Sequence, residues 1–235
     1  MSRVTVLAIG SDRLVGPLAF ARLSWKEPGL AVEVEDLRID WSPGALFEQR
    51  LHIGELVAAR VQLDIASSDE VSAPPVSLSL PVAVDVEKVA IFRVDYGNIL
   101  AVDEVRARLS SDGQTHRLSD FRARLGKVDV AGTATLGADA PLPLQASASI
   151  AGHLEDKAMR LAVTADGPLE AIVLKIVAEE GVRGSGQATL TPFAHQAFST
   201  AQLELADVDP AVWIAGAPAA GLRLNADLKP DERQS

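Results

Sequence analysis

The sequence predicts an all-β fold, a long antiparallel meander with one dry face, and three observations predict it. Apolar and polar residues alternate over long stretches, so each stretch is greasy on one side only. The breaks between stretches are turn-type clusters too short to hold a crossover helix, which makes consecutive strands antiparallel neighbours. The alternation also slips phase inside several stretches, the mark of β-bulges that bend a sheet. Composition agrees: 48% hydrophobic and 23% charged residues in a 235-residue chain belong to a folded protein.

Taken in order, the run Val4 to Ile9 is too short for a signal-peptide core or a membrane span. Pro17 to Lys26, Leu30 to Trp41 and Leu51 to Ile65 follow as strands, separated by Glu27-Pro28-Gly29 and by a break opening with Ser42-Pro43-Gly44. In the second strand Val32 and Val34 share one parity while Leu37, Ile39 and Trp41 share the other, which requires a bulge near Glu35 and Asp36. Leu51, Ile53, Val57, Val61, Leu63 and Ile65 keep one parity, with Leu56 out of step. Ser67 to Pro75 is a weak linker candidate, but the pattern is of one kind on both sides, so residues 1–235 read as a single continuous β segment. Val76 to Val86 alternates as a strand and slips near Glu87 and Lys88, with Pro81 suited only to an edge or bulge. Ile91 to Tyr96, Val102 to Leu109 and Leu118 to Leu125 come next, joined by Gly97-Asn98 and by a turn holding Asp112-Gly113.

The cleanest alternation lies between Lys127 and Ala165. Val128, Val130 and Leu136 share a parity, as do Leu142, Leu144 and Ile150, and then Leu161 and Val163. These eight residues are the candidate lining of an apolar groove. Turn signals at Gly137, Gly152, Asp166 and Gly181 leave roughly ten residues per strand, about 33 Å of extended chain. Leu169 to Glu180 favours a strand through Ile172, Leu174 and Ile176, and Gly184-Ser185-Gly186 reads as a tight connection. Asp209 to Gly216 carries the one helical signature, an Asp cap followed by Pro210 and stopped by Gly216 and Pro218. The polar tail from Lys229 follows a strand-like run directly, and both ends look cut from a longer protein.

A net charge of −10 argues against a nucleic-acid surface. The absence of cysteine excludes disulfides and thiolate zinc sites. His52, His116, His153 and His195 fall in separate segments without metal-ligand spacing, and no nucleophile has a base at motif spacing, so no metal, cofactor or catalytic residue is expected. Arg106, Arg108, Arg122 and Arg124 occupy alternate positions on the polar faces of neighbouring strands; they read as a solvated surface or as a basic rim for lipid head groups. Trp25, Trp41 and Trp213 read as buried plugs or interfacial anchors.

With no long helix to cover the dry face and 4% aromatic content to fill a thick core, two architectures remain. The sheet closes on itself as a sandwich or barrel, or it curls into an open hydrophobic trough. Long strands and repeated phase slips favour the trough.

Three stretches carry a resemblance. LRIDWSPGAL and LHIGELVAARVQL within Gly16 to Leu63, SLSLPVAVDVEKV from Ser77 to Val89, and the run from Thr191 to Leu228 with its Asp-Pro, tryptophan and Ala-Pro sequence resemble the TamB family, an AsmA-like group of repeating-groove bridge proteins. The resemblance implies a β-taco-like trough in the periplasm, in a parent protein anchored in the inner membrane. It implies conduction of phospholipid between the two membranes and support of outer-membrane protein assembly with a TamA-type barrel, contacted through regions that this sequence does not match. Phospholipid acyl chains are then the expected partners. Moving a chain of about fifteen methylenes through water costs roughly 12 kcal/mol at about 0.8 kcal/mol each, which a continuous dry face removes. A scaffold that templates β-strands of client proteins, and a closed β-sandwich binding module, are the alternatives.

Overall fold

Each alternating stretch becomes a strand that pairs with the one after it. In the computed structural model, which describes residues 3–8, 16–27, 29–65, 73–97, 99–154, 157–180, 183–194, 196, 198–208 and 222–228, fourteen strands form one sheet in chain order. They are β1 (Arg3–Ala8), β2 (Leu18–Glu27), β3 (Leu30–Ser42), β4 (Arg50–Ile65), β5 (Ala83–Tyr96), β6 (Leu100–Ser111) and β7 (Thr115–Leu125), then β8 (Val128–Gly137), β9 (Pro143–Leu154), β10 (Lys157–Pro168), β11 (Ile172–Glu180), β12 (Arg183–Leu190), β13 (Phe198–Val208) and β14 (Leu222–Leu228). The sheet does not close: β1 and β14 remain its two edges. The sandwich and barrel are thereby set aside in favour of an open sheet. The helical signature at Asp209–Gly216, together with Trp213 and His195, lies outside the described residues.

Bulges keep one face apolar. The slip expected near Glu35 falls at Asp36, whose φ is 50°, between the pairs Arg22–Glu35 and Phe20–Leu37. The β2–β3 register is the same on both sides of Asp36, whereas Glu104 and Asp120, at φ 54° and 52°, sit at one-residue register shifts in β6 and β7. Left-handed backbone is costly for most residues, and a short acidic side chain such as Asp adopts it more readily than most. The slip at Glu87 and Lys88 separates the β5–β6 pairs at Val86 and Val89. Leu56, out of step in the sequence, packs with Ile53, Val86 and Val89 because the β3–β4 register shifts between Asp40 and Trp41. Val57 consequently moves to the other face, where it lines a concavity with Glu55 and Lys88.

Three expectations need correction. Val76–Val86 and Ile91–Tyr96 are not two strands: residues 83–96 form the single strand β5, and it pairs with β4 in parallel, the one departure from an antiparallel sheet. Parallel pairing obliges the chain to return to the start of β4. Residues 76–83 complete that return as a strap across the turns at one end of the sheet. The Ala140 N–H donates to the Val76 carbonyl, Leu78 N–H to Ala138, Leu80 N–H to Gly113 and Ala83 N–H to Gln49. Alternation in Val76–Val82 therefore reflects an extended strap and not a ladder partner. Gly113, at φ 94°, permits the crossing, since a Cβ there would stand 2.9 Å from the Leu80 carbonyl oxygen. The second correction is Gly184-Ser185-Gly186, which lies inside β12, opposite Leu205, Glu204 and Leu203 of β13. The third is Leu142. It precedes β9 in a turn, at φ 54°, and is only 2% exposed.

At Gly132 of β8 there is no room for a side chain: an added Cβ would meet the Ser147 carbonyl oxygen at 2.5 Å and Ala148 at 3.1 Å, both fixed by the ladder. Gly132→Ala is expected to destabilise the chain by about 1–3 kcal/mol, the range for forced overpacking, measured as a lowered urea midpoint.

Candidate functional site

The apolar face is the feature that the strands share. Register partners in a sheet point the same way, so the ladders assemble rows. Val130, Ile150, Leu161, Ala178 and Gly184 form one row across β8–β12. Gly132, Ala148, Val163, Ile176, Gly186 and Leu203 form the next, and Ala134, Ala146, Ala165, Leu174, Ala188 and Ala201 the third. Leu136 stands opposite Leu144, and Val128 opposite Leu125. Seven of the eight lining residues named from the sequence thus share this face, half-buried. Leu142, enclosed in its turn, presents nothing to solvent.

The face extends past the predicted lining on both sides. Towards the amino-terminal half, Ile53, Val86 and Val89 make its most buried cluster, packed by Ile39, Trp41, Leu51, Leu56, Val84, Ile91 and Ala107. Towards the other side, β11 and β12 add Ile172, Leu174, Ile176, Gly186 and Ala188. Sequence reading assigned the β12 glycines to a connection because glycine is the commonest turn residue. Their i, i+2 spacing with Ala188 and Leu190 was the signal for a strand. Small residues along the middle rows leave the floor low. Leucines such as Leu109 and Leu203 stay about two-fifths exposed, at 40% and 39%, because the main contacts between elements run between neighbouring strands and not to a covering layer. Beside the buried cluster the Trp41 indole N–H is buried with no acceptor among the described residues.

One end of the face is crossed by the strap. His116, opposite Leu136 in the ladder, places Nε2 3.1 Å from the Leu78 carbonyl and Nδ1 2.9 Å from the Ser111 hydroxyl. A carbonyl only accepts, so Nε2 carries the proton. The Ser111 oxygen also accepts the Gly113 N–H at 3.0 Å.

The opposite face is polar and charge-paired. Arg22 lies 3.3 Å from both Glu33 and Glu35, and Arg124 bridges Glu104 at 2.8 Å and Asp129 at 3.2 Å. His52 sits between Asp85, 3.4 Å from Nδ1, and Glu87, 3.7 Å from Nε2. Their donor atoms lie within 4.8 Å of one another. The parallel β4–β5 pairing assembles this cluster, which no linear spacing announces. Each ring nitrogen faces its own carboxylate on a solvated surface, an arrangement that polar pairing between neighbouring strands explains.

Asp95 is the buried acid of that face. Burial raises its carboxyl, but the Arg60 Nε at 2.6 Å and the Arg93 Nε at 2.9 Å outweigh it and hold the group below the usual carboxylate range. A depressed folded value means that the stabilisation is present at neutral pH and disappears as pH falls through that value. Asp95→Asn should lower the thermal midpoint at pH 7, with the gap to wild type closing below about pH 4; paired melts across pH 2–7 test this.

Comparison with known proteins adds one match. Residues 8–97, from the end of β1 to just past β5, match the family model described as TamB, N-terminal domain. The chain matches no curated protein and no solved structure. The stretch that contains the Asp36 phase change, the buried Ile53–Val86–Val89 cluster and the parallel β4–β5 pair is thus the part of the chain that is similar to the TamB N-terminal domain.

Proposed function

We propose that this chain is a segment of a periplasmic bridge-like protein whose apolar sheet face conducts phospholipid acyl chains between the inner and outer membranes and supports outer-membrane protein assembly. The observation that carries the reading is the set of uninterrupted apolar rows across β8–β13, half-exposed and without a covering layer among the described residues. Aliphatic and small side chains at nearly every position offer an acyl chain almost equal energies along the floor, which favours sliding over capture at one point. The match of residues 8–97 to the TamB N-terminal domain supports the same reading, in which the parent protein is held at the inner membrane and meets a TamA-type barrel.

Strand templating for client proteins is the second reading, and the unpaired edges at β1 and β14 favour it. Substitutions in the floor separate the two. Leu144→Glu with Leu161→Glu should cut phospholipid recovered with the purified chain by about tenfold or more, because a charge in contact with a methylene chain costs well over about 1.4 kcal/mol. Mass spectrometry of extracted lipids reads the result and circular dichroism verifies the fold. A folded double variant carrying as much lipid as wild type would sink the conduit and leave templating, which prolines along an edge strand should abolish.

A further inference from the structure

Two pairs of arginines stand directly opposite each other on the polar face, and the sheet treats them differently. Arg60 and Arg93 are register partners on β4 and β5, and the Asp95 carboxylate lies between them, one oxygen to each. Arg106 and Arg122 are register partners on β6 and β7, yet neither makes an ion pair or hydrogen bond among the described residues. Like charges directly opposite on one face repel. Their nearest neighbours along the row include no acid: Val57 and Ala90 lie on one side, Ala131 and Ser149 on the other. Glu104 and Asp129 line the same concavity, but both are taken by Arg124.

The small flanking residues leave about 360 Å³ of space over the pair, and this concavity shares Glu104 and Arg106 with a neighbouring one of about 750 Å³. Both fall in the size range of ligand clefts, about 300–1,000 Å³. We propose that Arg106 and Arg122 form a binding site for a phosphate group, standing between them as Asp95 stands between Arg60 and Arg93. Two fixed positive charges with planar donor forks suit a ligand with several oxygens and close to two negative charges, which a phosphate monoester supplies and a single carboxylate does not. The Ser149 side chain, lining the same space, adds a hydroxyl donor. The site lies on the reverse of the apolar face and does not depend on the conduit reading.

Isothermal titration of the full chain, against chloride-matched buffer, tests the assignment with two probes: inorganic phosphate and dihexanoyl phosphatidic acid below its micelle concentration. The Arg106→Gln/Arg122→Gln variant should lose affinity by about tenfold or more for whichever probe binds, the worth of paired charge-assisted hydrogen bonds, while Arg160→Gln, an exposed arginine of the same face, keeps wild-type affinity. Equal binding of both probes assigns recognition to the phosphate itself, and binding of the lipid alone assigns it to a head group with its glycerol. Without either probe, the double variant should melt at or above the wild-type temperature, since a repulsion has been removed. Absence of binding above the chloride control, or an equal loss in Arg160→Gln, would overturn the proposal.

Discussion

A strand turns successive side chains to opposite faces, so a sheet stays dry on one side only if every extra residue is absorbed without inverting those that follow. The rest of this structure depends on that constraint being met in long strands, up to the 16 residues of β4. Asp36, Glu104 and Asp120 meet it by taking left-handed backbone at single positions. Glu104 and Asp120 each accompany a one-residue shift of their ladders, while Asp36 changes the phase of β3 with the β2–β3 register unchanged. Bulges also bend and twist strands, so the device that preserves the apolar face also curves it.

The apolar face then stands without the cover that folded proteins normally supply. In a sandwich, aliphatic rows would interdigitate with a second sheet about 10 Å away; here no second layer packs on the rows across β8–β13 among the described residues. The exceptions are informative. Around Ile53, Val86 and Val89 the bent sheet buries its own side chains, and at one end the strap from Val76 to Ala83 crosses the turns and engages His116. The floor between is built from alanine, glycine and mid-sized aliphatics.

The reverse face is organised by charge. Arg22, Arg60, Arg93 and Arg124 are held by acids on neighbouring strands, and Asp95 is buried because two guanidinium groups make its ionisation favourable there. Surface pairs of this kind contribute little stability individually, about 0–1 kcal/mol. Their effect is to keep that side wetted, so the two faces of one sheet present opposite environments to whatever approaches.

Local pattern determined much of this. Alternation and turn chemistry placed most strands to within a few residues, located the Asp36 and Glu87 slips, and put Val128, Val130, Leu136, Leu144, Ile150, Leu161 and Val163 on one face, because period-2 sidedness is a property of the chain before it folds. Only the tertiary structure decided what depends on pairing partners. Val76–Val82 has the composition of a strand, yet parallel β4–β5 pairing makes it a strap. Leu142 has the parity of a lining residue, yet its turn encloses it. Gly184 and Gly186 carry the composition of a turn, yet neighbours on both sides draw them into β12. The clusters His52–Asp85–Glu87 and Arg60–Asp95–Arg93, and the direct opposition of Arg106 and Arg122 on strands already legible as neighbours, exist only once the register is set, since cross-strand register is a relation between segments that neither segment encodes alone.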